Sequence, residues 1–188
     1  MGRAAGIMHR AARRYPVWQV PNGIDAMVEA FVATEPELRR HYEGVRARVD
    51  AIPVNRETYG FCHCDYAFTN FIVDGGRFCV IDANAFTGPF ALDLGAVAGQ
   101  LERLEIDRSL ALAYWRRFTS AYAAYTAFDE SWIPWIHAMH DSKRLAFYVF
   151  IRQWIASGSH DSHDLSMLET WRREMLEDRP WITLDLSL

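Results

Sequence analysis

Apolar residues along this chain follow two different periods. Leu38, Tyr42, Val45, Val49 and Ile52 recur on one helical face before Pro53 ends the run. Thr34 followed by Glu37 has the spacing of a capping box and predicts where that helix starts. Next, Phe71-Ile72-Val73 and Phe78-Cys79-Val80-Ile81 flank Asp74-Gly75-Gly76, residues that accept positive φ, which predicts a hairpin with a tight turn. From Ala91 the helical period returns, over about 91–104, 107–126, 131–156 with a break near Pro134, and 163–178, with Ser157 to Ser162 as a polar loop. The pattern predicts a mainly α chain with a small β-hairpin, an α+β fold. One domain is expected over 1–188: leading helices to 58, a loop and hairpin over 59–90, and a helical region over 91–188.

Residues 1–22 carry Arg3, Arg10, Arg13 and Arg14 and no acid. By composition they could form a transit peptide. Ala4, Met8, Ala11 and Tyr15 share one helical stripe, however, so a packed helix is the preferred expectation. Across 188 residues, 51% are hydrophobic and the net charge is −4, a balance that suits a globular fold and gives no overall field for nucleic acid or anionic lipid. The cations are nineteen Arg and one Lys, Lys143. No apolar run reaches the ~20 residues that cross a bilayer, so no membrane partner is expected. Cys62, Cys64 and Cys79, odd in number and crowded together, are expected as buried reduced thiols in a cytoplasmic setting rather than as disulfides or a zinc site.

Candidate chemistry is concentrated between 60 and 82. Gly60-Phe-Cys-His63-Cys-Asp65-Tyr-Ala-Phe-Thr-Asn70 has the His-x-Asp-x-x-x-x-Asn spacing of kinase catalytic loops, and the hairpin after it ends in Asp82. Phosphoryl transfer needs one carboxylate to aim a substrate hydroxyl and hard oxygen ligands for a divalent cation. Asp65 suits the first task, Asn70 and Asp82 the second, and His63 suits bracing the loop. Taken singly, an Asp after a strand and an Asn at a loop end are ordinary turn formers; the joint spacing carries the reading. His137 with His140, and His160 with His163 beside Asp161 and Asp164, are weaker metal candidates that would suit a metal-dependent hydrolase. Trp132, Trp135, Arg152 and Trp154 are unranked candidates for substrate contact, and the aromatics among them are more often core.

Tyr59 to Leu104 resembles the aminoglycoside phosphotransferase and choline kinase-like family, in particular its homoserine kinase-like and spore-coat kinase-like branches. Ala-Gly-Ile-Met-His-Arg near the start and Arg179-Pro-Trp-Ile-Thr-Leu-Asp-Leu near the end resemble it more loosely. The resemblance implies the helical C-lobe of a protein-kinase-like fold, with Mg2+ and ATP used on a small hydroxylated or amino-alcohol substrate. It assigns Asp65 and His63 to catalysis and loop bracing, Asn70 and Asp82 to the metal and nucleotide, and supporting places to Asp93 and Asn84. Where members usually carry Gly or a polar residue after the motif His, this chain has Cys64, and Ala83-Asn84 replace an aromatic and an acid after Asp82. Members are bilobal, yet residues before His63 read as helices without a glycine-rich loop or any Lys, so the N-terminal β lobe is expected to be absent. The alternative expectation is a non-catalytic module that pairs with a separate N-lobe or self-associates through the face such a lobe would cover.

Overall fold

A computed structural model describes residues 1–16, 23–104, 106–158 and 162–188. In chain order its elements are α1 (Gly2–Ala12), α2 (Gly23–Thr34), α3 (Arg39–Asp50), β1 (Tyr59–Cys62), β2 (Phe71–Asp74), β3 (Arg77–Val80), β4 (Phe86–Pro89), α4 (Ala91–Arg103), α5 (Arg108–Ala123), α6 (Ile133–Ala156) and α7 (Ser162–Leu176). The chain is helix-rich, as the periodicity predicts, with two small antiparallel sheets where it predicts a single hairpin. Among the described residues no helix is long and apolar enough to cross a membrane.

The residues pack as two compact units. The first comprises Met1–Val20, Ile52–His140 and Ile182–Leu188. Its core includes Phe90, Leu94, Val97, Trp115, Tyr122 and Ile136, none of them exposed to solvent; burying each such side chain stabilises the fold by about 2 kcal/mol. α1 packs against α5 through Gly2, Ala5, Gly6, His9 and Ala12. The buried face is therefore not the predicted stripe of Ala4, Met8, Ala11 and Tyr15, of which Ala11 and Tyr15 are exposed. Small residues win the interface because the helices nearly touch: a Cβ on Gly6 would stand 2.8 Å from the Tyr122 carbonyl oxygen. Asp107 caps α5, its side chain accepting from the Ser109 and Leu110 amides. Pro134 is the second residue of α6, where its missing N–H costs nothing, so the predicted break does not occur.

The hairpin forms as the sequence predicts, with Phe71 opposite Val80, Asp74 opposite Arg77, and Gly75 and Gly76 at φ +51° and +78° in the turn. β1 and β4 form a second ribbon, Tyr59 opposite Pro89 and Cys62 opposite Phe86, that the sequence pattern did not reveal. The extended tail buries Ile182, Leu184 and Leu186, and the Trp115 indole donates to the Leu186 carbonyl at 2.9 Å.

The second unit comprises Pro21–Ala51 and Asp141–Trp181, around Val28, Val32, Leu38, Leu145, Tyr148, Val149, Leu168 and Met175. The capping box does not form. Thr34 ends α2, where its hydroxyl donates to the Phe31 carbonyl, a short 3-10 helix spans Pro36–Leu38, and Glu37 pairs instead with Arg172. Arg144 is fully buried, 3.5 Å from Glu174, donating to the Arg179 carbonyl and lying over the Trp181 ring.

Candidate active site

The loop from His63 to Asn70 begins where β1 ends and is tied down from beneath by Asp93. This residue lies in the first turn of α4 with no exposed surface. Its Oδ2 accepts from the His63 amide at 2.8 Å and its Oδ1 from the Cys64 amide at 2.8 Å, while His9 Nε2 approaches Oδ2 at 3.1 Å. A buried carboxyl is tolerable here because three donors and the N-terminal end of a helix surround it. With a carboxylate oxygen as its neighbour, His9 Nε2 carries the proton, and Nδ1 meets the Tyr122 hydroxyl at 2.8 Å. Burial pushes the Tyr122 phenol well above its ordinary pKa, so it keeps its proton and can donate to an Nδ1 that carries none. The His9 ring stacks on Phe90 with centroids 4.3 Å apart. Tyr122, His9 and Asp93 thus form a relay of hydrogen bonds from α5 through α1 to the loop backbone.

Cys64 takes φ +68°, the left-handed region that favours glycine, to turn its amide toward Asp93. A glycine would meet that backbone geometry without strain. Asp65, next in the chain, is half-buried, and Asn70 returns across the loop so that its Nδ2 donates to the Asp65 carbonyl at 2.9 Å and to Asp65 Oδ2 at 2.8 Å. Gln100, two turns along α4 from Asp93, accepts from the Phe68 amide and donates to the Tyr66 carbonyl. On the open side, the Ile81 amide donates to the Asn70 carbonyl at 3.0 Å and His63 Nε2 lies 3.0 Å from the Ile81 carbonyl. Asp82 follows at φ +58° and is exposed. Asp65, Asn70, His63 and Asp93 therefore sit in one hydrogen-bonded cluster, to which Asp82 is joined through Ile81. Asn84 lies apart, exposed on the connection between β3 and β4.

The donor set suits a hard divalent cation. With the Asn70 amide nitrogen committed to Asp65, its Oδ1 accepts only a long contact from Thr69 at 3.5 Å, and the Asp82 carboxylate has no partner among the described residues. A second group with ligand spacing, His9, Cys62 and Asp93, has its nearest atoms within 4.8 Å of one another. Its valences are already spent. The N–H groups aimed at Asp93 oppose a cation, and the Cys62 thiol, pushed up by burial, points at the Gly88 and Pro89 carbonyls. Cys62 and Cys64 are buried and outside any disulfide as expected, but Cys79 is exposed, because both faces of β3 are open to solvent. His140 is buried with its ring over Gly99, and His137 is partly buried. His160 and Asp161, and the side chains of His163 and Asp164, lie outside the described residues. Trp132 is core, packed between Phe128 and Trp135, whereas Trp154 is half exposed and Arg152 pairs with Glu35.

The model of the phosphotransferase enzyme family matches residues 5–129, two thirds of the chain. The chain belongs to the phosphotransferase enzyme family. No curated protein matches this family member by sequence. Among solved structures it is similar to amicoumacin kinase hAmiN in complex with AMP-PNP, Ca2+ and Ami, with TM-score 0.82 and 15% identity over 98% of the chain. It is also similar to the microcompartment-associated aminopropanol kinase, with TM-score 0.63 and 15% identity over 99% of the chain. These likenesses establish a shared fold. The phosphotransferase chain spans 60% and 63% of the length of these two kinases.

His9, Tyr122 and Gln100 escaped the sequence reading as site residues. A signal for His9 was available: it is the one ring on a helical face otherwise made of Gly2, Ala5, Gly6 and Ala12.

Proposed function

We propose that this chain carries the catalytic loop of an ATP- and Mg2+-dependent kinase that phosphorylates a hydroxyl of a small molecule, with amino alcohols the substrate class suggested by the aminopropanol kinase. The observation that carries the reading is the Asn70 amide gripping both the backbone carbonyl and the carboxylate of Asp65 on a loop anchored by Asp93. Asp65 accepts the substrate hydroxyl proton as the alcohol oxygen bonds to the γ-phosphorus and the bond to the β–γ bridging oxygen breaks. Asn70 Oδ1 and Asp82 hold the divalent cation, whose charge neutralisation of the phosphates is the chemistry it supplies when bound. His63 acts through the loop by its bond to Ile81. Three free thiols suit a reducing compartment such as the cytoplasm.

Titration calorimetry with Mg-ATP tests this. Binding heat in the native chain that Asp82→Ala removes is expected; equal heats from both proteins, or none from either, would overturn it. A second reading, a non-catalytic module covered by a partner or by another copy, draws on the hairpin, where Ile72, Val73, Phe78 and Ile81 are exposed together. Under that reading light scattering detects self-association or tight pairing with an N-lobe, and Asp82→Ala changes neither.

A further inference from the structure

α1 and α5 present a face unlike the rest of the molecule. Neither residues 1–16 nor residues 108–125 contain a carboxylate, yet together they hold seven arginines in a chain of net charge −4. Three are occupied: Arg13 bonds Glu57, Arg108 bonds Thr183, and Arg116 lies in the field of Asp185. Arg3, Arg10, Arg14 and Arg117 are exposed and, among the described residues, have no ion-pair partner.

Two of these four are held in place. The close approach at Gly6 brings Tyr125 against α1, where a Cβ on Gly6 would stand 3.0 Å from Tyr125 Cβ. Arg3 and Arg10, two helical turns apart on either side of Gly6, each set a guanidinium 5.7 Å from the centre of that ring. Cation–π contact uses the flat face of a guanidinium and leaves its N–H edge unspent. One ring therefore pre-orients two forks of donors toward solvent, and the rotamer entropy that normally opposes binding by Arg is partly lost before any partner arrives. With both guanidinium groups over the ring, Tyr125 is a poor platform for a stacked base, which argues against nucleic acid. Membrane insertion is also disfavoured, since the apolar face of α1 is already buried on α5. Carboxylates match the geometry of a guanidinium fork, and Arg and Tyr are, with Trp, the residue types enriched among interface hot spots.

We propose that the Arg3–Tyr125–Arg10 clamp is a docking surface for an acidic segment of a partner protein. The surface works whether or not the loop at Asp65 is catalytic, so its test is separate from that of the kinase reading.

The test is fluorescence anisotropy with a labelled twelve-residue oligoglutamate, alongside a labelled oligouridylate and vesicles containing phosphatidylserine. The native chain is expected to bind oligoglutamate, with affinity falling as salt rises. The double variant Arg3→Gln/Arg10→Gln is expected to lose about tenfold in affinity, a loss typical of removing two charge-assisted contacts. Arg40→Gln, an exposed arginine elsewhere, is expected to change nothing. Tyr125→Leu keeps every charge but releases the two guanidinium groups and is expected to weaken binding about threefold, in line with the cost of freeing ordered side chains. Absence of oligoglutamate binding, equal binding by the double variant and native chain, an equal loss in Arg40→Gln, an unchanged affinity in Tyr125→Leu, or tighter binding of oligouridylate or vesicles would each overturn the proposal.

Discussion

Asp93 and Asp82 stand in the same short stretch of chain and do opposite work. Asp93 is fully buried and every oxygen contact it makes goes to the protein: two loop amides and His9. Asp82 is exposed, held at a positive φ by the ladder around Ile81, with its carboxylate spent on nothing described. The difference separates residues that shape the loop from residues left available to a ligand. Burial and partner count, not the identity of the side chain, make that distinction.

Removing each carboxylate is the strongest way to break the contrast. Asp93→Ala strands two buried amides and His9, and should cost about 3–5 kcal/mol of stability in urea denaturation, the range for stripping one partner from a buried charged network. Asp82→Ala should leave stability within about 0.5 kcal/mol, as exposed sites do, while it abolishes Mg-ATP binding. Equal destabilisation by the two would sink the comparison. His9→Phe tests the relay behind Asp93: it keeps the stack on Phe90 but leaves the Tyr122 hydroxyl and one Asp93 contact unmet, for a loss of about 2 kcal/mol in the same assay.

Cys64 sharpens it further. At φ +68°, Cys64→Gly should raise the melting temperature or leave it unchanged, since about 1 kcal/mol of left-handed strain is relieved against the loss of a small buried thiol, whereas Cys64→Val should lower it. Thiol accessibility gives a smaller but cleaner readout: a disulfide exchange reagent should titrate Cys79 alone in the folded protein and all three cysteines after unfolding. The smallest effect expected is in acid. Asp107 and Asp129 are held below the ordinary carboxylate pKa by hydrogen bonds from Ser109 and Ser131. Their contribution is present above the unfolded pKa and is lost as pH falls through the depressed folded value. Melting curves of the native chain and of Asp107→Asn should therefore begin to approach each other as pH falls below about 4, the unperturbed carboxylate value, and meet only below the depressed folded pKa.

How much of this was legible beforehand depended on sequence distance. The Asp65–Asn70 pair, the Gly75–Gly76 turn and the face of Leu38, Tyr42 and Val45 are local, and spacing alone exposed them. β1 and β4 pair across the whole loop and hairpin, and each is four residues long and carries a Gly, so neither showed a strand period. His9 and Tyr122 reach Asp93 from positions far apart in the chain, and nothing in their immediate neighbours encodes that meeting. On α1, hydrophobicity pointed to the wrong face because close packing selected for absence of bulk rather than for apolar size. At Thr34 a capping pattern was present, but α2 continues into it, and Pro36 directs the next turn.

The tail that tucks under Trp115 has a bearing on how the molecule is made. Its unit is assembled from three separated stretches of sequence, with part of the second unit, Pro21–Ala51, before the middle stretch and the rest, Asp141–Trp181, before the last. During synthesis the indole must wait for Leu186 until residues 141–181, which complete a core begun by Val28, Val32 and Leu38, have emerged. With the other six tryptophans replaced, Trp115 fluorescence should thus report the docking of the 182–188 segment on its unit.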